Sequence, residues 1–363
     1  MLIIHCADLH LDSRLSTNLS KELASDRRRE LTENFKRLTD YAAEQNVRAV
    51  LICGDMFDTG RVTKFTENMV LNSIKDHPGI SFYLLKGNHD SESFIDELSD
   101  IPDNLFLFDD SWKEYDLDGI KIHGVELTSA NSQSVQQNFA PDPSKVNIVM
   151  LHGQEAETAS KDKAETINLR LFKNKGINYL ALGHVHEYKS CELDSMARYC
   201  YPGCLEARGF DEPGDHGFVL LDVDTETGSV KDSFVSFAKR KVYLEQVDIS
   251  GLNNTFDIAE RVKETLHGSE AQSKDMVKVI LTGEVDVECE KDLRFIAASI
   301  GDDYYFSKVS DETKLKVSME SYINDMTLKG EFVRTVMADE SLSDDRKAAI
   351  VRTGLELFSE VRS

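Results

Sequence analysis

The chain opens on an apolar run, Leu2-Ile3-Ile4, that breaks at Asp8-Leu9-His10. The same event recurs four times. Ala49-Val50-Leu51-Ile52-Cys53 breaks at Gly54-Asp55, residues 80–85 at Gly87-Asn88-His89-Asp90, residues 146–151 at His152-Gly153, and Tyr179-Leu180-Ala181-Leu182 at Gly183-His184-Val185-His186. Short, continuous apolar runs of this kind read as strands buried on both faces. Between the first three, residues 21–45 and 64–75 read as helices; Leu31, Phe35, Leu38 and Ala42 give the first of these its apolar stripe. Strand–helix alternation predicts a parallel, layered α/β core, which places its chemistry where strands end.

From about residue 105 the strands shorten and a second sheet packed against the first is expected. A helix is expected over residues 164–173, and Thr225-Glu226-Thr227-Gly228 reads as a hairpin turn. After Lys239-Arg240-Lys241 the pattern changes to strand, helix, strand, helix, strand over residues 242–309, and the tail carries amphipathic helices at 330–338 and 344–361. The expected fold class is α/β (α+β layered): a β-sandwich flanked by helices, then a small βαβαβ domain and C-terminal helices. The expected domains are residues 1–240, 241–322 and 323–363.

Composition narrows the class. A chain of 363 residues exceeds one ordinary core, and 40% hydrophobic with 29% charged residues is globular composition. No run reaches the roughly 18–20 apolar residues of a membrane span, so no membrane association is expected. The N-terminus has no basic region and meets Asp8 early, so it reads as a strand and not a signal peptide. A cytoplasmic protein is the expectation. Six cysteines without a CxxC pair read as reduced thiols, and Cys191, Cys200 and Cys204 fit no zinc spacing. The net charge of −23 argues against holding nucleic acid by bulk electrostatics. Bound metal ions or a basic partner would be needed to supply a positive field.

Seven strand-end side chains can converge on one sheet edge: Asp8, His10, Asp55, Asn88, His152, His184 and His186. Imidazole, carboxylate and amide donors suit manganese, iron or zinc better than calcium or magnesium. With one shared Asp they divide into two sites of four, the arrangement used to hydrolyse phosphate esters. His5 and His123 lie inside apolar strands and read as core histidines. Arg27-Arg28-Arg29 reads as a solvated helix face, with a phosphate contact as the alternative.

The order Asp8-x-His10, Gly54-Asp55-x-x-Asp58, Gly87-Asn88-His89-Asp90, His152, Gly183-His184-x-His186 resembles the calcineurin-like metallophosphoesterase superfamily over about 190 residues. His5-Cys6-Ala7-Asp8-Leu9-His10-Leu11-Asp12, Phe57-Asp58-Thr59-Gly60 and Tyr201-Pro202-Gly203 are similar to SbcD-type DNA repair exonucleases, particularly the shorter YhaO-like branch. The resemblance implies two divalent ions, manganese being the family expectation. Asp8, His10 and His186 would hold one, and Asn88, His152 and His184 the other, with Asp55 bridging. It implies that His89 is no ligand but faces the scissile phosphate, and that Asp58 orients His89. Asp58 stands where archaeal and eukaryotic repair nucleases of the superfamily have a His, so that residue's role does not transfer. The phosphate-gripping Arg of the serine/threonine phosphatases is absent after Asp58. By position, residues 241–322 correspond to a DNA-capping domain, and the terminal helices to a segment docking an SbcC-like, SMC-type ATPase. DNA, that ATPase and a second copy of the chain are therefore the implied partners. The implied function is a two-metal DNA exonuclease of DNA repair. The alternatives are a phosphoesterase of a small phosphodiester or nucleotide, and a non-catalytic scaffold for the ATPase.

Overall fold

Each of the apolar runs forms a strand, and the break after it forms a loop. The computed structural model describes residues 1–13, 15, 19–58, 62–90, 101–156, 166–286, 289–316, 322 and 325–360. Thr59 and Gly60 of the second motif, and residue 323, where the third expected domain begins, lie outside them. The chain divides into two compact units, Met1–Lys241 and Val242–Ser363.

In the first unit the elements are β1 (Leu2–Cys6), α1 (Lys21–Glu44), β2 (Ala49–Cys53), α2 (Lys64–Lys75), β3 (Ser81–Leu85), β4 (Leu105–Leu107), β5 (Lys113–Leu117), β6 (Ile120–Gly124) and α3 (Ser132–Asn138). They continue with β7 (Val146–His152), β8 (Gln154–Ala156), β9 (Thr166–Asn168), β10 (Tyr179–Gly183), β11 (Lys189–Glu192), β12 (Arg198–Tyr201), β13 (Gly217–Val223) and β14 (Val230–Ser236). Two six-stranded sheets result, ordered β14-β13-β1-β2-β3-β4 and β11-β12-β10-β7-β6-β5. Both are parallel at the centre, β1 to β4 in one and β12, β10, β7 and β6 in the other, with antiparallel strands outside.

Alternate residues of the central strands explain the layering. Ile3, Leu51, Tyr83 and Leu85 pack with Ile148, Met150, Tyr179 and Ala181 between the sheets. Their neighbours Ile4, Val50, Ile52 and Phe82 face Leu31, Phe35, Leu38 and Ile74 of α1 and α2. Val149, Leu151, Leu180 and Leu182 meet Phe139 and Phe172 on the far side. With apolar cover on both faces, these strands are mostly apolar until they end, and the buried His5 and Asn147 within them are hydrogen-bonded.

Three sequence expectations are corrected here. Residues 166–168 are the strand β9, paired in parallel with β8, and Leu169–Leu171 is a single 3₁₀ turn. β-branched Thr166-Ile167 favours extended backbone, and the Asn168 side chain caps the turn by accepting from the Arg170 N–H. Residues 164–165 of the expected helix lie outside the described residues. Arg27 does not lie on a solvated face: it is fully buried, donating to Glu30 at 2.8 Å, Glu206 at 3.1 Å and the Ala207 carbonyl at 2.7 Å. It is therefore out of reach of any phosphate. Asp58 does not orient His89 through its carboxylate, as set out below.

His5 and His123 are core histidines, bonded to Tyr179 and Leu182 and to Asn147 respectively. In the second unit, β15 (Val242–Asp248), β16 (Met276–Thr282) and β18 (Phe306–Asp311) form a parallel sheet. β17 (Glu284–Val285) pairs with β19 (Lys314–Leu315) beside it. Helices α4 (Thr255–His267) and α5 (Leu293–Ala298) supply Ile258, Val262 and Ile296 to a core with Val277 and Val279. Helices α6 (Leu328–Ala338) and α7 (Asp344–Glu360) meet through Val333, Val351 and Leu355. Among the described residues no helix is long and apolar enough to cross a membrane.

Candidate metal centre

Every residue singled out in the sequence for chemistry lies at a strand end of the first unit. Asp8 and His10 follow β1, Asp55 and Asp58 follow β2, and Asn88 and His89 occupy the 3₁₀ turn after β3. These come from one sheet. His152 ends β7, while His184 and His186 follow β10, and these come from the other. The centre thus straddles the end of the sandwich.

One donor atom each from Asp8, His10 and His186 falls within 4.8 Å of the others, and the same holds for Asp8, Asp55 and His152. The Asp55 Oδ2 stands 3.8 Å from His10 Nε2 and 3.5 Å from His152 Nε2, between the two groups. Asn88 Oδ1 lies 3.1 Å from His152 Nε2. The ring of His184 is edge-on to that of His152, with centroids 5.3 Å apart. Its backbone N–H donates to both oxygens of Asp8 at 3.0 Å. His89 is exposed and edge-on to His10 at 5.1 Å.

The protons on these histidines show what the site suits. His152 Nδ1 is 2.9 Å from the Cys53 carbonyl, which can only accept, so Nδ1 carries the proton and Nε2 is a bare lone pair. It faces the Asn88 oxygen, another acceptor. His186 Nδ1 is 2.7 Å from the Glu212 carboxylate, so its Nε2 is bare too. That atom stands 3.1 Å from His10 Nε2. His10 Nδ1 is buried without an aligned hydrogen bond, its nearest carboxylate being Asp58 at 3.3 Å. Imidazole lone pairs and carboxylate oxygens directed at common points are the donors that a cation at each focus would take. The residues present fit two divalent ions.

Burial pushes the Asp8 carboxyl well above its usual range, and the Asp55 carboxylate adds to it. Burial likewise lowers His152 to about 4 and depresses His10. All three shifts favour uncharged side chains in the bare protein, and a metal ion would oppose the first and use the other two. The backbone is held in the left-handed region at Asp8 (φ 52°), His10 (φ 44°), Asp55 (φ 50°) and His184 (φ 102°). Each costs on the order of 1 kcal/mol, and such costs concentrate at functional sites.

The loops are braced from beneath. Asp90 is fully buried and accepts from the backbone N–H groups of Met56, Phe57 and Gly87 at 2.9–3.1 Å. It ties the loop after β3 to the loop after β2. Gly87 is required for close approach and not for a turn: a Cβ there would stand 2.2 Å from the Asp55 Oδ1.

Two contributors escaped the sequence reading. Glu212 holds His186, and Arg208 donates to Glu212 through Nε at 3.2 Å and to Asp58 at 3.1 Å. The Asp58 carboxylate is directed at His10 and Arg208, while His89 Nδ1 hydrogen-bonds to the Asp58 carbonyl, at 3.4 Å. The one signal was a Glu and an Arg four apart in a stretch that follows Tyr201-Pro202-Gly203. In sequence alone it is indistinguishable from a surface ion pair.

A sandwich of two mixed sheets with imidazole, carboxylate and amide donors converging at its end defines a metal-dependent hydrolase with a dimetal centre. Residues 1–188 match the family model for calcineurin-like phosphoesterases, and the chain belongs to that family. It is 24% identical over 296 residues to the uncharacterized metallophosphoesterase YhaO of Bacillus subtilis (strain 168), covering 78% of this chain and 72% of that one. It is 24% identical over 397 residues to the DNA double-strand break repair protein Mre11 of Methanopyrus kandleri, covering 100% of this chain and 83% of that one. To Mre11 of Saccharolobus solfataricus it is 24% identical over 375 residues, covering 96% and 93%. Among solved structures, a dimetal phosphatase from Danio rerio aligns with a TM-score of 0.41 at 12% identity, over 61% of this chain and 92% of that one.

Proposed function

We propose that this protein is a two-metal phosphodiesterase that hydrolyses DNA phosphodiester bonds, an exonuclease of the SbcD-like type acting in DNA repair. The observation that carries the reading is the placement of an exposed His89 beside the seven converging donors. Similarity along the whole chain to proteins named for DNA double-strand break repair supports DNA as the substrate. Manganese is the proposed metal, with iron or zinc as alternatives. A pair of divalent ions held there would neutralise phosphate oxygens and supply an acidified water as nucleophile.

The chain's own part is as follows. Asp8, His10 and His186 would hold one ion and Asn88, His152 and His184 the other, with Asp55 serving both. Cys53 and Glu212 fix which imidazole nitrogens face inward. The Asp58 carbonyl accepts from His89 Nδ1, so the acid would be the imidazolium form of the ring, whose second N–H binds phosphate oxygen and passes its proton to the departing one. In this reading residues 241–322 cap the DNA, and the terminal helices dock an SbcC-like, SMC-type ATPase. A homodimer and a cytoplasmic location complete it.

The net charge of −23 favours a second reading, a small phosphodiester or nucleotide as substrate. The test is hydrolysis of linear duplex DNA beside a chromogenic phosphodiester, with Mn²⁺, with and without the candidate ATPase. Degradation of duplex from its ends is the expected result. Turnover of the small ester alone overturns the DNA assignment. A protein that binds both ions and hydrolyses neither substrate is the scaffold instead.

A further inference from the structure

Arg208 and Glu212 join the two histidines of one ion's ligand set through separate arms. Glu212 is buried, and its Oε1 accepts from His186 Nδ1 at 2.7 Å and from Arg208 Nη2 at 3.0 Å. Its Oε2 accepts from the Arg208 backbone N–H at 2.7 Å. Arg208 Nη1 donates to Asp58 Oδ1 at 3.1 Å, and that same oxygen lies 3.3 Å from His10 Nδ1. Arg208 Nη2 also approaches His186 Nδ1 at 3.2 Å. Because the acceptor-only carboxylate takes the Nδ1 proton, this last approach joins two donors and is no hydrogen bond.

The carbonyl behind His186 is pinned as well. It accepts from the Cys204 N–H at 3.1 Å, and a Cβ on Gly203 (φ 77°) would stand 2.7 Å from it. Tyr201-Pro202-Gly203 therefore places the chain that carries Arg208 and Glu212 directly against His186. His152, on the other ion's side, takes its orientation from the Cys53 carbonyl and touches none of this. Nor is Arg208 free to grip substrate phosphate: it is three-quarters buried, with Nε, Nη1 and Nη2 all committed to Glu212 and Asp58.

We propose that Arg208 and Glu212 are positioning residues that set the affinity of one ion, the one held by Asp8, His10 and His186, and leave the other unaffected. The inference rests on the two-metal reading above. Outer hydrogen-bond partners of metal-binding histidines fix tautomer and ring direction, and their loss typically costs about 10–100-fold in metal affinity.

The experiment is titration of the metal-free full chain with Mn²⁺, read by calorimetry and by electron paramagnetic resonance. The wild type should take up two ions and give the spectrum of an exchange-coupled pair. Glu212→Ala should weaken one ion by about 10–100-fold and leave the other unchanged, so that one equivalent gives an isolated Mn²⁺ spectrum. Arg208→Ala should weaken the same ion. Glu212→Gln, whose amide oxygen still accepts from Nδ1, should fall between Glu212→Ala and wild type. Equal weakening of both ions, or isotherms identical to wild type, overturns the proposal. A wild-type chain that binds no ions overturns the metal reading itself. Melting curves of the metal-free proteins show whether Glu212→Ala is folded. If it is not, Glu212→Gln decides: selective weakening supports the proposal and a wild-type isotherm overturns it.

Discussion

The Nε2 atoms of His10 and His186 face each other across 3.1 Å, although their chain positions are 176 residues apart. His186 reaches this distance with its proton committed to Glu212, on the opposite side of the ring. The His186 lone pair can accept a proton from His10 Nε2 in the metal-free protein, and a cation would take that proton's place between the two rings.

Metal binding should appear as stability. At free Mn²⁺ about 100-fold above the dissociation constant, each site adds about 2.7 kcal/mol. Thermal melts with and without a chelator check this. An unchanged melting temperature in saturating Mn²⁺, Fe²⁺ and Zn²⁺ would contradict the assignment of the donors.

Asp8→Asn should separate stability from binding. The buried carboxyl is pushed up by burial and by Asp55, so its charged form destabilises the metal-free fold at neutral pH. The amide removes that charge. In chelator the variant should be more stable than wild type, while gaining less than wild type from metal. Denaturant titration in both conditions provides the readout.

His89→Ala should leave both ions bound and lower turnover by about 10²–10⁴-fold, the range for loss of a positioned acid. The ring is exposed, and the seven proposed ligands do not include it. Metal content measured alongside the hydrolysis rate tests the role, and loss of the ions would show that His89 is a ligand.

Glu30 predicts a pH dependence remote from the centre. Burial raises its carboxyl, but hydrogen bonds from Arg240, Arg27 and Lys239 outweigh burial and hold it at about 2. A depressed carboxyl contributes stability above its unfolded value and loses it as pH falls. The contribution should be complete above about pH 4.5 and vanish towards pH 2, with a ceiling of about 3 kcal/mol. Unfolding by urea at several pH values should show this loss in wild type and a flatter profile in Glu30→Gln. The variant should also be less stable at pH 7, because Arg27 keeps its charge and is fully buried.

Gly87→Ala should damage the centre more than the fold. The added methyl would displace the Asp55 carboxylate, at a cost of about 1–3 kcal/mol for local overpacking. Metal affinity should fall at both ions, because Asp55 stands between them. Calorimetry would distinguish this from the single-ion loss expected at Glu212.

The strands were legible because apolar cover on both faces writes itself as unbroken runs, as at Ala49–Cys53 and residues 148–151. The strand-end residues were legible because polar groups interrupt those runs. Residues 166–168 were misread because three residues cannot display a period, and pairing with Gln154–Ala156 decided their state. Arg27 was misread because its partner Glu206 is 179 positions away. Glu212 and Arg208 were missed for the same reason, since only tertiary structure brings them to His186 and Asp58.

The span of the centre along the chain has a consequence for synthesis. Its side chains run from Asp8 to His186, and the Glu212 that orients His186 comes later still. A ribosome that has released only the first sheet's initial strands has produced Asp8, His10, Asp55, Asn88 and His89 without the histidines that complete either ion's set. The seven converging donors are therefore all present only once His186 has been made, and the partner that orients His186 follows 26 residues later.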